Sequence, residues 1–266
     1  MCMITPLSWL KKSHSLHVKL LKNGYFSWIK LLDNSQAKIN IGCVIPLSIY
    51  IYKHARNEKM MKTEIHSILN NRKIEHISHT ILSEKYSIPL TYHTIFDKIR
   101  EKIVEHTDLL LKCSSKTVQS EGKQISINDI EEDGKIYGID TYRIRDGYFV
   151  KKMKEKHPAI NERKLILANK SSLRGGFIDD GNFGLVGNHK FYVTGEKLDM
   201  LEKFFSSNLC DVIVNLTKYG QDFVDTPAFE YIPDIRKICS KKYNIEKIYN
   251  YFGFSKKEIE MIETIR

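Results

Sequence analysis

The sequence predicts a mixed α/β protein in two parts joined by a helical connector, and three patterns carry that expectation. Over residues 1–55, one helix-like stretch stands among several strand-like ones. From Thr91 to Leu111, the residues Ile95, Ile99, Ile103 and Leu110 recur at a spacing near 3.6. Beyond residue 115, short β-rich runs broken by glycine turns precede long amphipathic segments.

Cys2 to Ile4 reads as a short strand that stops at Thr5-Pro6, because the residue before a proline is driven into extended geometry. Ser13 is a plausible N-cap for a helix marked by Leu16, Leu20 and Leu21, with Asn23-Gly24 as its stop. Tyr25 to Leu32 is aromatic and β-branched and runs into the turn cluster Asp33-Asn34-Ser35. Lys38 to Val44 and Leu47 to Tyr52 read as two further strands, the second alternating cleanly. This is α/β or α+β material, too little for a whole domain, like the tail of a sheet.

Residues 56–80 are polar and basic, with Ile65, Ile68 and Leu69 as a helical stripe. Ser114 to Gly134 is a polar stretch expected to loop, with a short strand at Ile125 to Ile127, and a boundary falls near 115. Strands are expected at Lys164 to Ala168, Phe177-Ile178 and Lys190 to Val193, set apart by turns at Arg174-Gly175-Gly176, Asp180-Gly181-Asn182 and Gly187-Asn188. Leu198 to Leu216 is expected as one long helix whose apolar face packs on that sheet. Tyr243 to Phe252 and Ser255 to Ile265 close the chain as helices, Ser255 with Glu258 forming a capping-box pattern.

At 266 residues, 42% hydrophobic and 28% charged, the composition is that of a globular protein with one large domain or two modest ones. The longest apolar run, Val44 to Tyr52, is half of the roughly 18 residues that a membrane span needs, and no secretion signal opens the sequence. Five scattered cysteines without a CxxC pair argue for a reducing compartment, here a cytoplasm, bacterial or that of a virus-infected host, and against a disulfide scaffold or zinc site. The net charge of +10 is uneven: residues 1–60 hold nine Lys/Arg against two acids, residues 61–115 eight against seven, and residues 116–266 25 against 23. Such a surface suits a polyanion, and plain solubility remains the alternative on charge alone.

No Walker A loop, HExxH, GxSxG or GxGxxG occurs. Gly175-Gly176 reads as hairpin geometry rather than a phosphate cradle. His76 and His79, three apart, could share one helix face, but no Cys or carboxylate spacing completes a site, so they read as surface residues. Glu131-Glu132-Asp133 reads as a solvated turn.

Three segments near the start carry a pattern: Met3-Ile-Thr-Pro-Leu-Ser-Trp-Leu10, Lys30-Leu-Leu-Asp-Asn-Ser35 and Val44-Ile-Pro-Leu-Ser-Ile-Tyr-Ile-Tyr52. Together they resemble the last third of the catalytic domain of γ-type N6-adenine DNA methyltransferases, the Eco57I-like and TaqI-like group. There a strand end and helix, a second strand and a closing antiparallel hairpin complete the sheet. Further on, Lys164-Leu-Ile-Leu-Ala-Asn169, Asp180-Gly-Asn-Phe-Gly-Leu-Val-Gly-Asn188, Phe191-Tyr-Val193, Phe204-Phe-Ser-Ser-Asn-Leu209, Thr217-Lys-Tyr219 and Tyr231-Ile-Pro233 resemble, in order, that family's target-recognition domain.

The resemblance implies a partial Rossmann-like methyltransferase sheet over residues 1–58, a helical connector over 59–115, and an α+β target-recognition domain with C-terminal helices over 116–266. It implies double-stranded DNA as partner and no membrane. The family's S-adenosylmethionine loop and its Asn-Pro-Pro-Tyr/Phe tetrapeptide, which holds the flipped adenine, are missing here: no two of the six prolines adjoin and none follows Asn. The expectation is therefore a truncated or split enzyme, with no cofactor bound by this chain alone and no catalytic residue of its own. S-adenosylmethionine would belong to the complete enzyme; a split enzyme would carry the missing half on a separate chain, and a remnant kept for binding is the other reading. DNA contacts are expected from Lys170, Ser171, Ser172 and Arg174, from Asn188, His189 and Lys190, and from Lys218, Tyr219 and Gln221, since Arg and Asn read base edges while Lys and Ser suit phosphates. A stand-alone sequence-specific DNA-binding protein is the alternative, and a nuclease of unusual motif a third.

Overall fold

Strand β1 (Cys2–Pro6) starts a five-stranded sheet that also takes β2 (Gly24–Leu32), β3 (Leu47–His54), β4 (Thr63–Leu69) and β5 (Ile74–Thr80), in the order β1-β3-β2-β4-β5. The computed structural model describes residues 1–54, 61–69, 73–131, 136–143, 146–168, 173–174, 176–188, 190–220, 224 and 226–264. Strand β3 runs antiparallel to both β1 and β2, so those two are parallel to each other; β2 is parallel to β4, and β4–β5 is an antiparallel hairpin.

Helix α1 (Ser15–Asn23) leads into β2, capped by His14, whose Nδ1 accepts the Leu16 N–H at 3.2 Å. The expected strand over Lys38–Val44 is instead helix α2 (Asn34–Ile41). Its two ends decide the matter: Asp33 Oδ1 accepts the Gln36 N–H at 3.0 Å, and Gly42 closes the helix at φ 74°. The expected helical stripe over 56–80 is the β4–β5 hairpin. Thr63, Ile65, Ser67 and Leu69 all point inward, and the polar members of that row concealed its period of two.

Helix α3 (His93–Glu105) follows the expected period, shorter at both ends than read from sequence. Beyond it, β6 (Ser120–Ser126), β7 (Tyr137–Arg143), β8 (Gly147–Met153) and β11 (Gly184–Leu185) form a four-stranded sheet in the order β11-β7-β8-β6. The expected strands β9 (Lys164–Ala168), β10 (Phe177–Asp179) and β12 (Lys190–Thr194) form a third sheet, order β10-β9-β12.

The expected single helix over Leu198–Leu216 is two, α4 (Leu198–Phe205) and α5 (Asn208–Leu216). Ser207 breaks it by capping both sides: its hydroxyl donates to the Phe204 carbonyl at 2.6 Å and accepts the Cys210 N–H at 3.3 Å. Helices α6 (Ile245–Phe252) and α7 (Lys256–Thr264) follow. The capping box before α7 is formed as expected: the Ser255 N–H donates to Glu258 Oε2 at 2.7 Å and Ser255 Oγ accepts the Glu258 N–H at 3.3 Å. Ser255→Ala should cost about 1 kcal/mol, seen as a lower urea midpoint with unchanged m-value; an unchanged midpoint would refute this role.

The largest core is continuous from Leu7 to Ile262 and crosses the boundary expected near 115. Tyr231 and Tyr219 donate their hydroxyls to the Ser87 and Ile88 carbonyls, each at 2.6 Å, and the Leu90 N–H donates to the Leu216 carbonyl at 2.7 Å. The connector is therefore built into the C-terminal helices. A second core of Tyr137, Ile139, Tyr148, Val150, Ile166, Leu185 and Tyr192 lies between the two smaller sheets. No helix among the described residues is long and apolar enough to cross a membrane.

Candidate nucleic-acid interface

The turn Asp180–Phe183 is shaped from below by a buried ion pair. Lys164, at the start of β9, reaches Asp179 at the end of β10, Nζ to Oδ2 at 2.5 Å, with both side chains inaccessible to solvent. The Asp179 carboxylate then accepts the Asn182 N–H at 2.9 Å and the Phe183 N–H at 3.1 Å, folding the chain back over itself. Gly181 sits at φ 97°, where a Cβ would lie 2.9 Å from the Asn161 carbonyl carbon, so glycine is required.

The next turn, Val186 to Asn188, is held in the same way by Lys190. Its Nζ donates to the carbonyls of Val186 at 2.7 Å and Asn188 at 3.1 Å, and burial pushes its titration down to about 8. Lys190 is thus an interior clamp and not the exposed cation expected from sequence: a side chain flanked by glycine and polar residues read as surface, but its alternation on β12 turns it inward. Asn188 itself is exposed.

Arg174 is half-exposed, its Nε donating to Asp211 Oδ2 at 2.7 Å and one terminal nitrogen to Asn208 Oδ1 at 3.2 Å, both on the first turn of α5. Asp211 is largely buried, so the pair holds the guanidinium against α5 while half of the Arg174 side chain stays open to solvent. Lys218, half-buried, follows α5. Tyr219 is buried, its hydroxyl committed to Ile88, and as a direct DNA contact it is corrected: the residue ties α5 to the connector. Lys170, Ser171, Ser172, His189 and Gln221 lie outside the described residues, as do Gly175, Glu132 and Asp133.

Sequence reasoning passed over Arg163, which is exposed beside the Asp180 turn and pairs with Asp180 at 2.9 Å. The acidic pair Asp179-Asp180 was the available signal, since one member takes the buried Lys164 and the other the exposed Arg163. His76 and His79 lie on β5 rather than a helix, and their odd spacing sends them to opposite faces: His76 bonds Thr91 Oγ1 at 3.0 Å, while His79 meets Glu64 at 3.2 Å.

A cavity lined by Thr80, Ser87, His93, Asp97, Arg100 and Tyr231 encloses about 20 Å³, room for one water and not for a nucleobase or methyl donor. No protein-family model matches the chain, and no curated protein matches it.

Proposed function

We propose that the chain recognises double-stranded DNA as part of a site-specific adenine-N6 methyltransferase, its five-stranded sheet being a part of a Rossmann-like methyltransferase sheet. The supporting observation is the strand order: β3, last of the first three, inserts antiparallel between the parallel strands β1 and β2. Of the closing antiparallel hairpin that the resemblance implies, only the strand from Leu47 is present, since α2 stands where its partner was expected. The residues present do not fit S-adenosylmethionine, because they offer neither the glycine-rich loop nor the tetrapeptide that grips adenine. The donor pocket and the flipped-base pocket are therefore assigned to residues outside this sequence, and no methyl-transfer step is assigned here.

What this chain contributes is Arg174 at the Ala168 end of β9, the end that also carries the Val186–Asn188 turn, with the Asp180–Phe183 turn at the opposite end of the same sheet. The Asp180–Phe183 and Val186–Asn188 turns are fixed by buried lysines, so little ordering entropy is lost on binding. Arg174 supplies a planar fork suited to the guanine O6/N7 edge, and Asn188 an amide suited to adenine. Selection from a randomised duplex pool, followed by anisotropy titration, tests this. Arg174→Ala should weaken the selected duplex about tenfold and relax the preference at one base pair. Unchanged affinity and unchanged preference would remove the recognition role. Methylation of DNA by this chain alone, with labelled S-adenosylmethionine, would overturn the division of labour.

A further inference from the structure

Residues 81–89 carry the chain from β5 towards α3 without helix or strand, and their course is set by bonds to distant parts of the fold. The Ser87 N–H and hydroxyl donate to the Glu230 carboxylate at 3.0 and 2.9 Å. The Ile88 N–H donates to the Leu10 carbonyl at 2.9 Å, and the hydroxyls of Tyr231 and Tyr219 hold the Ser87 and Ile88 carbonyls. Held at these points, the segment leaves between itself and α3 the cavity of about 20 Å³. Phe96 and Tyr231, packed edge to face with centroids 4.9 Å apart, give that cavity an apolar wall. Its polar lining comes chiefly from Thr80, His93, Asp97 and Arg100.

Two of these polar groups have hydrogen-bonding capacity to spare. His93 is 3% exposed; its Nδ1 pairs with the Ser78 hydroxyl at 2.8 Å, while no protein group bonds its buried Nε2. Asp97 accepts a firm bond at Oδ1, from Arg100 at 2.7 Å, but only a long one at Oδ2, from the Thr80 hydroxyl at 3.4 Å. The guanidinium of Arg100 is fixed in turn over the Tyr86 ring, 5.0 Å from its centroid. His93 and Asp97 are four residues apart on α3 and therefore share one helix face.

We propose that the cavity is a binding site for a single ordered water, which accepts the His93 Nε2–H and donates to Asp97 Oδ2. Size and lining both select this occupant. A space of this volume holds one water, and an occupant so confined touches the groups around it; apolar cavities stay dry, whereas this one offers the polar partners that a buried water needs. Charge excludes the ions of similar size. A cation would face Arg100 and an anion Asp97, and those two already neutralise each other.

The carboxylate at one end sets the direction of the whole chain of bonds. Asp97, ionised beside Arg100, only accepts, so the water donates to it and turns a lone pair towards the imidazole. Nε2 then carries the ring proton, Nδ1 is bare, and the Ser78 hydroxyl donates to Nδ1. The water thereby ties β5, through Ser78, to the first two turns of α3.

Two measurements on the full chain test this. A crystal structure at a resolution that shows ordered solvent should place one water within about 3.2 Å of both His93 Nε2 and Asp97 Oδ2. Long-range proton–nitrogen correlation spectra at neutral pH should show His93 as the Nε2–H tautomer. His93→Phe keeps a ring of similar volume but offers no nitrogen, and its crystal structure should have lost the water. A cavity without density, an Nε2 bonded directly to the Pro89 carbonyl, the Nδ1–H tautomer, or a water that stays in place in His93→Phe overturns the site. Should the phenylalanine variant fail to fold, the two measurements on the parent chain decide alone.

Discussion

Lys164→Met should destabilise the protein by about 3–5 kcal/mol, the loss expected when one member of a buried ion pair is removed. The lysine is fully buried, and its ammonium spends its donors on Asp179 at 2.5 Å and on the carbonyls of Ala159 at 2.8 Å and Glu162 at 3.2 Å. Methionine fills the same volume but leaves the Asp179 carboxylate in the interior with only the Asn182 and Phe183 N–H groups for partners. Volume is preserved, so the loss measures an uncompensated charge rather than a cavity. At the usual unfolding entropy for a chain of this size, the melting temperature should fall by roughly 10 °C.

A companion variant separates charge from hydrogen bonding. In Lys164→Met with Asp179→Asn the buried charge is gone, and the asparagine carbonyl can still accept one turn N–H. Recovery of at least about 2 kcal/mol over the single variant is expected, incomplete because the second N–H loses its acceptor. A single variant within about 1 kcal/mol of the parent, or a double variant no better than the single, would mean that the pair does not organise the Asp180 turn.

Short β-rich runs bounded by turn residues were legible: Leu47–Tyr52, which alternates, and Lys164–Ala168 and Lys190–Val193 appear where expected. So did the capping box at Ser255, because its chemistry is local. Where a period depends on what lies above it, the reading failed. On β4 and β5, Thr63, Ser67, Ser78 and Thr80 face the interior, so an inward row looked polar. The Asp146-Gly147 turn signals the β7–β8 hairpin, with Gly147 at φ 79°, and its use would have placed those strands. Charge was legible as a count and not as a location. Lys190 sits among glycine and polar neighbours, as a surface cation would, and only the packing of β12 reveals that its ammonium closes a turn from within.

Acid should unfold the protein through His93. The imidazole, 3% exposed, bonds Ser78 through Nδ1 at 2.8 Å, and its Nε2 is buried without a hydrogen-bond partner. Burial pushes its titration from 6.5 to about 4; the Pro89 carbonyl pulls the other way, and His76 on β5 and Arg100 on α3 add to the fall. The folded protein then binds fewer protons than the unfolded chain between pH 6.5 and 4, so stability declines as pH falls through that window. A shift of this size corresponds to about 3 kcal/mol. Buried His17 and His157 and half-buried His76 are displaced in the same direction, while Asp97, raised by its own burial, opposes them by gaining a proton more readily in the fold. A single acid titration of the parent therefore mixes signs, and the informative quantity is a difference. His93→Asn keeps an amide near Nδ1 for Ser78 and removes the titrating ring; the smaller side chain adds a loss that does not vary with pH. Urea unfolding at pH 7, 6, 5 and 4 should show the parent falling about 3 kcal/mol further than the variant across the series. Two curves that stay parallel would place the acid sensitivity elsewhere.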